Sequence, residues 1–188
     1  MYREAKTIEA ATYILSKIEA AGEAVPYIKL IKLLYLADRE QVLRSGRTIS
    51  GDTHWSLKCG PILSDTLNAI KGRDDRWLPF IGVDLDAKVV WLKKQAQPSE
   101  MSRADCSVLD DIVERFGHLP WQDLVEHTHA LPEWHKPDGR VKRSRIYLAD
   151  IARAVGHGPE RVDAILRAEK ERQEMRGVMD WFRAPARA

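Results

Sequence analysis

The feature that most constrains the fold is the apolar run from Tyr27 to Leu43. Its leucines and isoleucines lie on nearly every side of a helical projection, whereas a surface helix has one apolar stripe. Pro26 suits the start of a helix, and Gly46 follows the run. Because a helix that is apolar all round must be covered by other elements, the sequence predicts a mainly α fold, a helical bundle around a buried central helix.

Shorter periodic segments surround this helix in the sequence. Ile8, Ala11, Leu15 and Ile18 form one stripe of a first helix. Residues 54–57 alternate like a short strand, and residues 78–93 predict a β-hairpin that turns near residues 84–88. Further helices are expected at about 60–71, 102–116, 120–129, 146–154 and 159–176. The expected architecture is a bundle with a small flanking β-hairpin or sheet and a C-terminal helical hairpin.

Charge is unevenly distributed along the 188 residues, whose net charge is only +2. Residues 139–188 hold 12 of the 30 basic side chains but only 7 of the 28 acidic ones. We therefore divide the chain into a domain at 1–140 and a basic helical extension at 141–188, packed on the domain and with a flexible end. Candidate partner-binding residues lie at the end of the domain and in the extension: Arg140, Lys142, Arg143, Arg145, Trp181 and Phe182.

The tryptophans invite two interpretations. Trp121 and Trp134 lie beside prolines at predicted helix starts and are expected to pack inward. Trp181 and Phe182 lie in a basic tail, where they either dock on the protein's own surface or anchor a partner.

Motifs for catalysis or metal binding are absent from the sequence. It contains no CxxC, no HExxH, no P-loop and no GxGxxG, so we expect no catalytic residue, no metal, no cofactor and no enzymatic activity. The two cysteines, Cys59 and Cys106, suit free thiols in a reducing compartment. No signal peptide or membrane span is evident, which predicts a cytoplasmic protein without a membrane partner.

Two sequence blocks carry a resemblance. The first runs from Lys29 to Gly72, and the second comprises residues 124–129 followed by Pro132 and Trp134. The motif residues are Lys29, Lys32, Tyr35, Asp38, Gly46, Gly51, Asp52, Gly60, Pro61 and Ser64. Together the blocks resemble the Panacea domain of SocA-like, phage-associated bacterial antitoxins. The resemblance implies an antitoxin that neutralises a cognate toxin by direct protein–protein binding, or an adaptor that delivers the toxin to a AAA+ protease such as ClpXP.

Each motif residue has a structural interpretation beside a toxin-binding one. The glycines suit turns, and Asp52 could cap a turn through its side chain. Asp38 could pair with Arg39, with Lys32 or with a backbone amide. Lys29 and Lys32 lie three residues apart, so they form either a solvated rim or an exposed toxin-binding edge.

DNA binding is the alternative from another class. Residues 147–174 have the spacing of a helix-turn-helix, and the basic run at 140–145 could contact phosphates. However, the second helix holds about as many acidic as basic residues, which favours a helical hairpin packed on the bundle. A DNA-binding autoregulator of the toxin operon remains the alternative.

Overall fold

The computed structural model describes residues 2–18, 24–137 and 141–183, and the side chains of residues 176 and 179–183 lie outside this description. Helices lie at Glu4–Ile18 (α1), Tyr27–Ser45 (α2), Ser64–Gly72 (α3), Arg103–Phe116 (α4), Trp121–His129 (α5), Leu148–Ala154 (α6) and Pro159–Arg183 (α7). Strands lie at Val25–Pro26 (β1), His54–Leu57 (β2), Gly60–Leu63 (β3), Ile81–Asp84 (β4), Val89–Leu92 (β5) and Ser144–Ile146 (β6). The fold is mainly α with two small antiparallel sheets, as the sequence predicts.

Helix α2 lies at the centre, because its apolar residues point in every direction and each direction is covered. Leu30, Leu33 and Tyr35 are fully buried, and α1, α4, α5 and α6 pack around the helix. It ends at Gly46, whose φ of 71° is left-handed and whose N–H donates to the carbonyl of Val42. The prediction of a buried central helix is confirmed.

Two sheets flank the bundle. One has the order β1-β5-β4 and contains the predicted hairpin, whose strands β4 and β5 pair from Ile81 opposite Leu92 to Asp84 opposite Val89. The other has the order β3-β2-β6. In the described residues, no helix is long and apolar enough to cross a membrane.

The segment after Gly60 differs from its prediction. It is strand β3, which pairs with β2, and helix α3 begins only at Ser64. The Gly-Pro pair suggested a helix start, but residues 60–63 form a β-hairpin with the preceding strand β2, and this pairing holds them in an extended conformation. The predicted helix at 60–71 is therefore wrong in its first four residues.

Strand β6 is a second correction. Ile146 was predicted to begin a helix after the basic segment at 140–145. Instead, Ser144, Arg145 and Ile146 form a strand and pair with Ser56, Trp55 and His54. Helix α6 begins at Leu148, after Tyr147.

The third correction concerns Trp121, which was expected to pack inward but is 38% exposed. Trp134 is half-buried and donates from Nε1 to the Leu57 carbonyl at 3.1 Å.

Candidate partner-binding face

Asp38 ties the loop that follows α2 to the helix itself. Its carboxylate is buried and accepts hydrogen bonds from the backbone N–H groups of Ile49 at 2.8 Å and Ser50 at 2.9 Å. Ser50 Oγ also bonds to this carboxylate, and His54 Nε2 lies 3.0 Å from it. Of the three partners considered from sequence, the backbone amide is the observed one. Asp38 therefore shapes the loop at 48–54.

Asp52 performs a similar function for helix α3. It accepts from the N–H groups of Asp65 and Thr66, both at 2.8 Å, and from Thr66 Oγ1 at 2.6 Å. These N–H groups lie in the first turn of α3, so Asp52 caps the helix from a distant loop. Burial raises the pKa of Asp52, and the hydrogen bonds from Thr66 oppose that rise. The predicted capping role is confirmed.

Lys32 is fully buried, which contradicts both sequence interpretations of a solvated rim or an exposed binding edge. Its ammonium donates to the carbonyl of Pro61 at 2.8 Å. Gly60 makes room for it: φ is +92°, and a methyl group there would collide with Lys32 Nζ and lie 2.8 Å from Thr128 Oγ1. Burial lowers the pKa of Lys32 to about 7. Lys29 is half-buried, and burial lowers its pKa as well.

Glu133 joins the second sequence block to α2. Its Oε1 accepts from Tyr35 Oη at 3.0 Å and from Arg39 Nε at 2.8 Å, and burial raises the pKa of Tyr35 well above its usual value. Sequence reasoning named Tyr35 but missed Glu133. No local signal could have identified it, because its partners Tyr35 and Arg39 lie nearly 100 residues away in the sequence.

These contacts assign most of the motif to the interior of the protein. Pro61 is buried in β3, Ser64 donates its N–H to the Thr53 carbonyl at 2.9 Å, and Gly51 has a left-handed φ of 62° in the loop. Gly46 lies against Ile165 of α7, where a side chain would collide. Most of the motif residues therefore build the scaffold of the protein.

The basic segment presents its arginines on the outer face of the second sheet. The guanidinium of Arg143 lies 4.4 Å from the ring centroid of Trp55, and that of Arg145 lies 5.4 Å from the ring centroid of Tyr147. Lys142 is exposed nearby, and Tyr147 is 59% exposed. Arg140 lies outside the described residues. The sequence thus predicted the location of the cations but not their aromatic neighbours.

Two cavities adjoin β6. The larger, of about 600 Å³, lies between the loop at 48–54, β6 and α7, and its lining includes Arg145, Tyr147, Leu166 and Lys170. The smaller, of about 450 Å³, is lined by Glu133, Arg145 and Arg153 among others. Arg145 lines both cavities, so β6 lies at the boundary between them.

Helix α7 has buried side chains only near its start. Its 25 residues span about 37 Å, but Val162 and Ile165 near its start are its buried apolar residues, and no described side chain after Ile165 is buried. Met175 is 68% exposed and Val178 is 56% exposed. Trp181 and Phe182 lie in the final turn, and their side chains lie outside the described part. We call the half of α7 from residue 170 onward the projecting helix.

Comparison with protein families identifies the scaffold. A family model described as antitoxin SocA-like, Panacea domain, matches residues 30–135, which is more than half of the chain. The chain therefore belongs to the SocA-like antitoxin, Panacea domain family, and the resemblance seen in its sequence is confirmed. Comparisons with the curated proteins and with the solved structures give no match.

The matched region coincides with the scaffold described above. It begins in α2 and ends just after Trp134, so it includes Lys32, Asp38, Asp52 and Glu133. Strand β6, α6 and α7 follow it. Within the described residues, no group of three or more His, Cys, Asp or Glu could hold a metal ion.

Proposed function

We propose that this protein is an antitoxin that neutralises a cognate toxin by binding it directly in a stoichiometric complex, with no cofactor. Membership of the antitoxin family supports the role, and the projecting helix supports the mode of binding. Met175 and Val178 lie one turn apart and are largely exposed. Exposed apolar residues that recur on one face of a helix are typical of a helix that docks into a groove of a partner. This exposure is the observation that carries the proposal.

The charges on the projecting helix favour a protein partner over DNA. Arg172 lies 3.0 Å from Glu169, and Lys170 lies 3.9 Å from Glu174. Two of the cations on α7 are thus paired with carboxylates of the same helix, and the apolar side chains give no readout of base edges. The basic segment on β6 adds a positively charged flank, which predicts an acidic patch on the toxin.

The first test is co-expression with the product of the adjacent reading frame, which we take as the toxin. The double variant M175E/V178E places two carboxylates on the projecting helix without disturbing a buried residue. We expect it to lose growth rescue and to weaken binding at least tenfold, measured by calorimetry. The matched control is L85E, since Leu85 is a leucine 36% exposed in the hairpin turn between β4 and β5.

A second pair of substitutions tests the end of the helix. Trp181 and Phe182 remain predicted anchors, and alanine at both should weaken the complex. An unchanged dissociation constant would remove them from the binding surface. If all these variants bind like the wild type, the projecting helix is not the docking element.

Toxin lifetime separates sequestration from delivery. In a stoichiometric mechanism, the toxin persists in a complex that co-purifies with this protein. If rescue instead requires a AAA+ protease such as ClpXP and the toxin disappears, the protein is an adaptor. If there is neither rescue nor complex, a gel shift with the operon promoter at stated salt tests the DNA-binding autoregulator.

A further inference from the structure

Among the residues that the structure describes, strand β6 has no partner on one of its two edges. The sheet has the order β3-β2-β6, so β6 pairs with β2 on one side only. Among the described residues, the backbone groups of residues 144–146 make no hydrogen bond beyond that pairing. An open edge with unpaired N–H and C=O groups is a template for a further strand from another chain.

The surroundings of β6 have room for the side chains of such a strand. The cavities of about 600 Å³ and 450 Å³ both include Arg145 in their lining, and they follow one another along the strand direction from Ser144 to Tyr147. Successive side chains of an extended peptide alternate between two faces. A peptide beside β6 would therefore run past both cavities, which offer space for some of its side chains.

The carboxylates in these cavities already have partners. Asp52 accepts from the first turn of α3, Glu133 pairs with Arg39, and Glu169 pairs with Arg172. Asp150 accepts the Tyr147 N–H at 2.8 Å and lies 3.4 Å from Arg153. The carboxylates that line the cavities are thus already paired with groups of the protein itself.

Arg145 of β6 and Arg143, the residue before this strand, are different. Arg143 and Arg145 lie two residues apart and face aromatic rings, and neither has a carboxylate partner among the described residues. Two unmatched guanidinium groups along one face of a strand match carboxylates at alternate positions of an extended neighbour. This charge pattern defines the chemistry of the occupant.

We infer that an extended, acidic segment of the toxin adds to β6 as a fourth strand of this sheet, with carboxylates at alternate positions facing Arg143 and Arg145. The inference rests on the proposed toxin binding and adds a second contact to the docking of the projecting helix. Backbone hydrogen bonds to β6 hold the segment, and the two arginines select its charge and register.

The test combines charge reversal with amide hydrogen exchange. In R143E/R145E both substitutions lie at exposed positions, so the fold should persist, and unfolding midpoints verify this. We expect at least tenfold weaker toxin binding, with R143Q/R145Q intermediate. The matched control is K94E/R103E, which reverses two exposed cations outside both cavities. In the wild-type complex, exchange within residues 142–147 should slow at least tenfold.

A third measurement uses overlapping twelve-residue synthetic peptides that cover the toxin sequence. An acidic peptide among them should bind the wild type and compete with the toxin.

The possible outcomes of these experiments are distinct. If wild type and R143E/R145E bind the toxin equally and residues 142–147 stay unprotected, strand addition is overturned while the antitoxin role stands. If R143E/R145E weakens toxin binding but amide exchange within residues 142–147 does not slow in the wild-type complex, the arginines make only side-chain contacts and strand addition is overturned. If the wild type binds no toxin, the proposed function fails first.

Discussion

At the scale of single residues, the fully buried Lys32 is the most unusual feature. Its ammonium donates to the Pro61 carbonyl, and no carboxylate contacts it among the described residues. A buried ammonium without a counter-charge favours the neutral amine, which explains the pKa of about 7. Lys32 thus holds β3 against α2 by a hydrogen bond whose donor changes charge near neutral pH.

This pKa predicts how stability depends on pH. The folded pKa lies below the unfolded value of about 10.4, so between these values the unfolded chain binds more protons and folding becomes more favourable as pH rises. From pH 7 to pH 9, the wild type should gain about 2 kcal/mol in unfolding free energy relative to K32M, which lacks the titrating group. Urea denaturation of both proteins at the two pH values measures this. Parallel pH profiles would contradict the shifted pKa.

At the scale of elements, buried carboxylates connect loops to helices. Glu9 of α1 accepts from the N–H groups of Ser99, Glu100 and Met101. Asp105 accepts from Lys6 at 2.6 Å and completes a capping box with Ser102 at the start of α4. Asp38 does the same for the loop at 48–54. These contacts determine where irregular segments lie on the bundle.

The loop contact of Asp38 gives a second prediction. Alanine at this position leaves two buried N–H groups without an acceptor and removes the His54 contact, so we expect a loss of about 3 kcal/mol in unfolding free energy. The control is D75A, because Asp75 is exposed and its side chain makes no hydrogen bond to any residue that the structure describes. Urea denaturation compares the two. A loss below about 1 kcal/mol would mean that the loop is held by other contacts.

At the scale of the whole molecule, the segment after residue 140 divides into two parts. Its first part is integrated with the rest of the protein: β6 pairs with β2, Ile151 and Ile165 are buried, and Gly46 lies against Ile165. Its second part is the projecting helix, whose described side chains are not buried. We therefore expect the first part to contribute to the stability of the fold and the projecting helix to contribute to partner binding.

Truncation tests this separation. Removal of residues 174–188 should leave the thermal unfolding midpoint within about 2 °C of the wild type, because it removes no described buried side chain, yet it should weaken toxin binding. Removal of residues 141–188 should instead destabilise the protein by several kcal/mol, since at least four buried apolar side chains are lost. Calorimetry measures both. Equal stability of the two truncations would contradict the division.

The sequence by itself determined the helical class and much of the local structure. Period and composition located α2, α4, α5 and the β4-β5 hairpin, because these signals depend on neighbours within a few residues. The two sequence blocks, at 29–72 and 124–134, also indicated the family, and Gly46 indicated where α2 ends.

Tertiary structure decided what depends on distant partners. Residues 144–146 became a strand because they pair with β2, which lies about 90 residues earlier in the chain, and no local signal encodes so distant a neighbour. Residues 60–63 pair with β2 across a two-residue turn, a local hairpin that the Gly-Pro pair obscured. Lys32 is buried because Gly60 leaves space beside it. Glu133 accepts a hydrogen bond from Tyr35, which lies nearly 100 residues earlier in the sequence. The free energy of these contacts comes from burial and pairing between elements, which sequence spacing alone does not specify.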